Sequence, residues 1–254
     1  MTVSTPALQM SRPSPTSPWV IWGGALPSGS LKYLTFDRYL ALVGRDAIAR
    51  GLIEISEGCT ALALQHLAER EGVPLVVLSS GPGAARLRER GFHSTLQVPG
   101  SFAEALASCK AKREEGWHWP AQMSNPKLVS AVAEWASELA QLLRNTPEIE
   151  TVVCGFGTGA TLAGLDQVLT PLGYEVIGLQ SAPGASIPGW RNYGEHNLRS
   201  EDLFHPHVQR IELRTAADPA LAGKTPLQVL LAQDWGSEPA RVCVVSHDGV
   251  SGEE

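Results

Sequence analysis

Two short stretches carry residues whose types and spacing suit chemistry. The first is GFGTGAT, residues 155–161, which follows the β-branched run TVVC and leads straight into ATLAGL. Glycines let a backbone approach a ligand closely, and the N–H groups and dipole at a helix start favour an anion, a phosphate above all. Thr158 and Thr161 add hydroxyl donors. A dinucleotide fingerprint needs G-x-G-x-x-G and an acid about 20 residues on. Here the glycine spacing departs from that pattern and the next apolar run, EVIGLQ, ends in Gln180 and Ser181. A Walker A loop is excluded because no Gly-Lys-Ser/Thr follows. The competing reading is a tight strand-to-helix turn with no ligand. The second stretch is GSLKYLTF, residues 29–36. Lys32 stands in a glycine-marked turn at a helix start, either as a solvated charge or as an amine placed to react.

The elements that must position these residues alternate along the chain. WVIW (19–22), LIEIS, VPLVVLSS, STLQV, TVVCGF, EVIGLQ, VQRIELRT and RVCVVSHDG read as strands. Between them, YLTFDRYLALVGRDAIARG has helical periodicity ending at Gly44 or Gly51, and CTALALQHLAEREG stops at Gly72. GAARLRERG, NPKLVSAVAEWASELAQLLRN, ATLAGLDQVLTPLG and PLQVLLAQDWG are further helices. SFAEALASCKAKREEG carries Ser101 and Glu104 in the spacing of a capping box. Apolar strands alternating with amphipathic helices predict an α/β fold with parallel sheets covered on both faces.

Composition narrows the partners. The 254 residues have a net charge of −6 and no Lys/Arg run, which argues against nucleic acid and for small-molecule partners. Cys59, Cys109, Cys154 and Cys243 form no C-x-x-C pair and no zinc spacing, so no metal is expected; free thiols suggest a reducing cytoplasm. The Pro/Ser/Thr-rich start, residues 1–18 with four prolines, reads as a loose arm without the apolar core of a signal peptide. No run approaches the ~18 apolar residues of a membrane span.

Four segments, in order, resemble fold-type II pyridoxal-phosphate (PLP) enzymes, the group of cysteine synthase, threonine dehydratase and tryptophan synthase β-subunit. WVIWGGALPSGSLK resembles the strand and N-P-T-G-S-x-K segment whose lysine forms a Schiff base with the cofactor, which maps to Lys32. EISEGCTALALQHLAEREG resembles the T-S-G-N-T-G substrate loop and its helix. GFGTGAT resembles the G-T-G-G-T phosphate cup, here Gly157, Thr158, Gly159, Ala160 and Thr161. RVCVVSHDG resembles the closing strand, whose end faces the pyridine nitrogen. A weaker match, WPAQMSNP, places a substrate-binding glutamine at Gln122. The likeness spans residues 19–254 of a chain shorter than usual members, lacking the N-T-P-L segment and abbreviated between Arg199 and Arg241.

The resemblance implies the two-domain, three-layer α/β/α architecture of the tryptophan synthase β-subunit. Residues 31–124 would form a smaller domain, residues 19–30 plus 125–254 a larger one that holds the cofactor phosphate, and residues 1–18 a flexible arm. It implies a cytoplasmic homodimer that binds PLP and a small amino acid. The reaction implied is β-elimination or β-replacement, with Lys32 as Schiff-base residue and general base. The alternative is a divergent member that serves as a binding or partner subunit or takes an atypical substrate. Three departures mark this chain. The substrate loop is Ser56-Glu57-Gly58-Cys59-Thr60-Ala61. Either Glu57 points away, or the substrate is not a simple amino acid, since like charges repel. Cys59 replaces the asparagine that contacts the cofactor oxygen and is a weaker hydrogen-bonder, or a small filler. Asp248 aligns with the Ser or Thr at the pyridine nitrogen, where a carboxylate would keep that nitrogen protonated; a shifted register would bring His247 or Ser246 there, and Asp248 is otherwise a turn residue. His205 and His207, split by Pro206, read as loop histidines rather than ligands, and Arg191 as a surface charge or a substrate contact.

Overall fold

A computed structural model of the chain describes residues 8–23, 26–183, 187, 189–190, 212–216, 225–236 and 239–246. In chain order the elements are β1 (Gln9–Ser11), β2 (Trp19–Trp22), α1 (Lys32–Val43), α2 (Arg45–Ile48), β3 (Leu52–Ile55), α3 (Cys59–Glu71), β4 (Leu75–Leu78), α4 (Gly81–Glu89), β5 (Thr95–Gln97), α5 (Phe102–Glu114), α6 (Pro126–Arg144), β6 (Thr151–Gly155), α7 (Ala160–Leu169), β7 (Glu175–Ser181), β8 (Glu212–Ala216), α8 (Pro226–Leu231) and β9 (Val242–Ser246).

The strands form two sheets. One has the order β1-β2-β9-β6-β7-β8 and the other β3-β4-β5. Every pairing is parallel except that of β1 with β2. Parallel strands need covered faces, and both sheets have them. Val20, Val153, Ile177, Val242 and Val244 pack on Leu227 and Leu230 of α8 on one face of the large sheet. Ile53, Val76 and Leu78 pack on Ala105 and Cys109 of α5, with Trp117 and Trp119 at the edge. On the remaining faces, α1, α3, α6 and α7 build one continuous apolar core that joins the two sheets. Trp135 of α6 is fully buried there, and its indole N–H donates to Thr35 Oγ1 of α1 at 3.1 Å. Gly164 lets α7 close on α6: a Cβ there would lie 2.5 Å from Val132.

The local signals acted as chemistry requires, with instructive departures. The predicted helix after the lysine turn begins at Lys32 itself. Both glycines interrupt the chain after it: Gly44 (φ +81) ends α1, α2 follows, and Gly51 (φ +132) starts the run into β3. Ser101 caps α5 by accepting from the Glu104 N–H, but the Glu104 carboxylate reaches back to the N–H of Gly100 rather than Ser101. The expected loose arm is ordered in part. Residues 9–11 pair with β2 because the edge of β2 would otherwise leave its backbone groups unpaired. In the segment GWHWP, His118 bridges Leu52 and continues the small sheet beside β3. No described helix is long and apolar enough to cross a membrane.

Candidate active site

In parallel sheets ligands gather beyond the carboxyl ends of the strands, where neighbouring chain connections diverge. Lys32 is brought to that edge by a close approach. A Cβ on Gly23, just past β2, would lie 2.3 Å from the Leu31 nitrogen, so only glycine lets Ser30 and Leu31 seat on the strand end. Ser30 is fully buried, and its Oγ accepts the Lys32 N–H at 3.2 Å. The Lys32 side chain is partly buried. Burial lowers its pKa, opposed by the thiols of Cys59 and Cys154. The Lys32 amine therefore lies within electrostatic reach both of the loop that opens α3 and of β6, two residues before the strand gives way to the glycine cup. Burial pushes the Cys154 thiol up to about 12, and Lys32 only partly offsets it, so that thiol stays protonated.

The cup follows β6. Gly159 adopts a left-handed conformation (φ +87) as the cap of α7, with no side chain capping the helix. Among the described residues, the backbone N–H groups of Gly157, Thr158, Gly159 and Ala160 meet no acceptor, while the Ala163 N–H donates to the Gly159 carbonyl. These donors at a helix start form an open anion cradle, which is what the phosphate of PLP requires. Gly155 and Gly157 have a further reason to be glycine. A Cβ on Gly155 would lie 2.0 Å from the Trp190 Nε1, and one on Gly157 would lie 2.6 Å from the Gly189 carbonyl oxygen. The chain at 189–190 thus packs directly on the cup. Between β2 and β6 runs β9, whose last residue, Ser246, is buried and in register with Trp22. That puts Ser246 at the same sheet edge, between the lysine segment and the cup. Asp248, His247, Arg191, His205 and His207 lie outside the described residues.

The loop at 56–61 is of a different kind. The Ser56 hydroxyl oxygen accepts from the N–H groups of Gly58 and Ala61, at 3.3 and 3.1 Å. Thr60 donates its hydroxyl to Gln122 Oε1 at 2.8 Å, and Gln122 Nε2 donates to the Ile55 carbonyl at 2.7 Å. The Thr60 N–H has no acceptor among the described residues. Glu57 turns outward and pairs with Arg86 of α4 at 3.0 Å, over Gly83. That pair directs the Glu57 carboxylate toward α4. Cys59 opens α3, partly buried, with the Arg90 guanidinium 3.8–3.9 Å from its sulfur. No group of three metal-ligating side chains occurs among the described residues.

Sequence reasoning missed the support beneath this loop. Glu54 of β3 is fully buried and accepts from the Ile55 N–H, the Trp119 indole and the Gln122 N–H. Burial raises it to about 7 against these hydrogen bonds. Tyr39, His118 and Asn125 form a second, partly buried polar group nearby, with Tyr39 Oη 2.7 Å from His118 Nε2 and accepting from Asn125 Nδ2 at 3.0 Å. The signal was present: a carboxylate inside LIEI, an otherwise apolar strand, is rarely buried without partners.

A search of curated proteins found none that matches. Among solved structures, O-ureido-L-serine synthase superposes with a TM-score of 0.71 at 19% identity, over 95% of this chain and 88% of that one. The O-acetylserine dependent cystathionine β-synthase from Helicobacter pylori gives 0.65 at 18% identity, over 96% and 92%. A hydrogen sulfide-producing enzyme from Fusobacterium nucleatum gives 0.63 at 17%, over 95% and 94%. These likenesses establish the fold-type II architecture. The family described as pyridoxal-phosphate dependent enzyme matches residues 5–230, which takes in Lys32, the 56–61 loop and the glycine cup. With an amine at one strand end and an open anion cradle at another, the chain belongs to the pyridoxal-phosphate dependent enzyme family.

Proposed function

We propose that the chain catalyses β-elimination or β-replacement on a small amino acid. The observation that carries this reading is the placement of Lys32, seated through Gly23 at the end of β2, two strands from the end of β6 that leads into the cup, where burial lowers its pKa. A lowered pKa leaves more of the amine neutral, and only the neutral amine is a nucleophile or a base. When bound, PLP supplies an electron sink for the pair left on Cα as the α-proton departs. The protein supplies the rest. The N–H groups of residues 157–160 would hold the phosphate, and Asp248, or with a shifted register His247 or the buried Ser246, would meet the pyridine nitrogen. Lys32 would hold the cofactor and would serve as the general base for the α-proton. The Thr60 N–H at the start of α3 receives the substrate carboxylate, with Gln122 and Ser56 fixing the loop around it. Cys59 would stand toward the cofactor oxygen where the family has asparagine.

This reading is supported by the family match and by structural neighbours whose names include an O-acetylserine dependent synthase and a sulfide-producing enzyme. The test uses PLP-loaded protein with O-acetylserine, serine, cysteine and threonine, with and without sulfide. Release of a 2-oxo acid, or formation of the sulfur-substituted amino acid, is expected with at least one. A protein that binds PLP but is inert toward all four overturns the proposal and leaves the divergent-member reading.

A further inference from the structure

Glu54 is out of place by every local rule. It sits in the middle of a parallel strand buried on both sides, beside Leu52 and Ile53, and no part of it is exposed. Burying a carboxylate is expensive unless hydrogen bonds receive it. Here each of its bonds leads toward the substrate loop. One oxygen accepts from the Ile55 N–H at 2.8 Å and the Trp119 indole at 3.3 Å, and the other from the Gln122 N–H at 3.1 Å.

The turn so gripped is strained. Ala121 has φ +52, a left-handed conformation that is unfavourable for a residue with a Cβ. Its carbonyl accepts from the N–H groups of Ser124 and Asn125, which closes the turn ahead of α6. A strained turn persists only when its surroundings over-determine it. Glu54 does so from inside, while Asn125 Nδ2 donates to the Pro120 carbonyl from the other end. The product of this clamp is the aim of Gln122, whose amide bridges the Ile55 carbonyl and the Thr60 hydroxyl.

We infer that Glu54 is a positioning residue for the substrate loop: its carboxylate holds the 119–122 turn so that Gln122 fixes Thr60. The inference rests on reading 56–61 as the loop that receives the substrate carboxylate. Glu54 touches neither substrate nor cofactor; it acts through Gln122. Its removal therefore alters amino-acid affinity rather than cofactor binding or turnover.

The test is Glu54→Gln at pH 8, which keeps the volume but places an amide N–H₂ where an acceptor faced donors. Hydrogen exchange of the cofactor-free chain is measured first. Peptides covering 56–62 and 119–123 should exchange about 3- to 10-fold faster than in wild type, the scale of one lost hydrogen bond, while those of α6 and α7 are unchanged. In the PLP-loaded protein, KM for O-acetyl-L-serine should rise about 3- to 10-fold with kcat within about twofold and PLP affinity unaltered. Trp119→Phe, which deletes a single donor to the carboxylate, should reproduce both effects more weakly, and carries the same comparison if Glu54→Gln does not fold. Unchanged exchange in these two segments, or parallel losses of kcat and PLP binding, overturns the inference. The loop reading is judged separately: if Thr60→Val leaves KM unchanged while Glu54→Gln still loosens both peptides, the positioning stands and the substrate assignment falls.

Discussion

The cup at 157–161 and the loop at 56–61 follow strands of different sheets, and they are built on opposite plans. The cup leaves its donors open. Four successive N–H groups lack an acceptor among the described residues, and the helix behind them has no side-chain cap. The loop closes its polar groups on itself and its support: Ser56 binds the N–H groups of Gly58 and Ala61, Thr60 binds Gln122, and Glu57 binds Arg86. A preformed open cradle suits a cofactor that is held permanently. A self-satisfied loop with its backbone N–H at Thr60 left over suits a substrate that must come and go, because little is left unpaired when it departs. The difference predicts that damage to the cup lowers cofactor affinity and damage to the loop lowers amino-acid affinity.

The largest effect tests the base of the loop. Glu54 rises to about 7 in the folded protein from an ordinary 4.5. A raised carboxyl contributes stability that is fully present below its unfolded pKa and is lost as pH rises toward the folded one. Wild-type stability relative to Glu54→Gln should therefore fall between pH 4.5 and about 7 and level off above, by about 3 kcal/mol at 1.36 kcal/mol per unit. Parallel urea titrations of the two proteins at several pH values measure it; a difference independent of pH breaks the picture of a buried, reluctant anion. Next comes Gly159→Ala in the cup. A Cβ at φ +87 costs about 1–2 kcal/mol and strains the backbone that presents the cup's donors. PLP affinity, read by fluorescence titration, should drop about tenfold or more, with the exchange of the 56–62 peptide unchanged. Thr60→Val in the loop should do the reverse: about 1 kcal/mol of substrate affinity lost, seen in KM, and PLP affinity kept. The smallest effect is that of Glu57→Gln. Its pair with Arg86 is half exposed on both sides, so stability should move by less than about 0.5 kcal/mol and KM by less than about twofold. A large change in KM there would mean that Glu57 does face the substrate.

These two regions were also unequally legible. The cup was readable because glycine identity reports directly on backbone conformation, and Gly159 does hold a positive φ. Even so, Gly155 and Gly157 answer to Trp190 and Gly189 as well, a packing reason that no local pattern contains. Lys32 could be picked out only by its order among other segments, since a lysine at a helix start looks the same whether solvated or buried. The loop was readable as a segment but not in its details. Glu57 and Cys59 looked like obstacles because their partners, Arg86 and Arg90, come from a helix about 30 residues on that only the fold brings near. Glu54 passed unnoticed because strand patterning absorbs a single charge. Strand and helix alternation carried most of the fold. The pairing of residues 9–11 with β2 and of His118 with Leu52 did not show, because short bridges depend on what lies beside them.

The central claim is that the Lys32 amine and the 157–161 cradle hold opposite ends of one PLP molecule. Borohydride reduction of the PLP-treated protein, followed by peptide mass mapping, addresses it most directly. A single phosphopyridoxyl adduct on Lys32, weakened by Gly159→Ala and absent from Lys32→Ala, is the predicted result. An adduct on another lysine, or one on Lys32 indifferent to the cradle variant, would contradict the account.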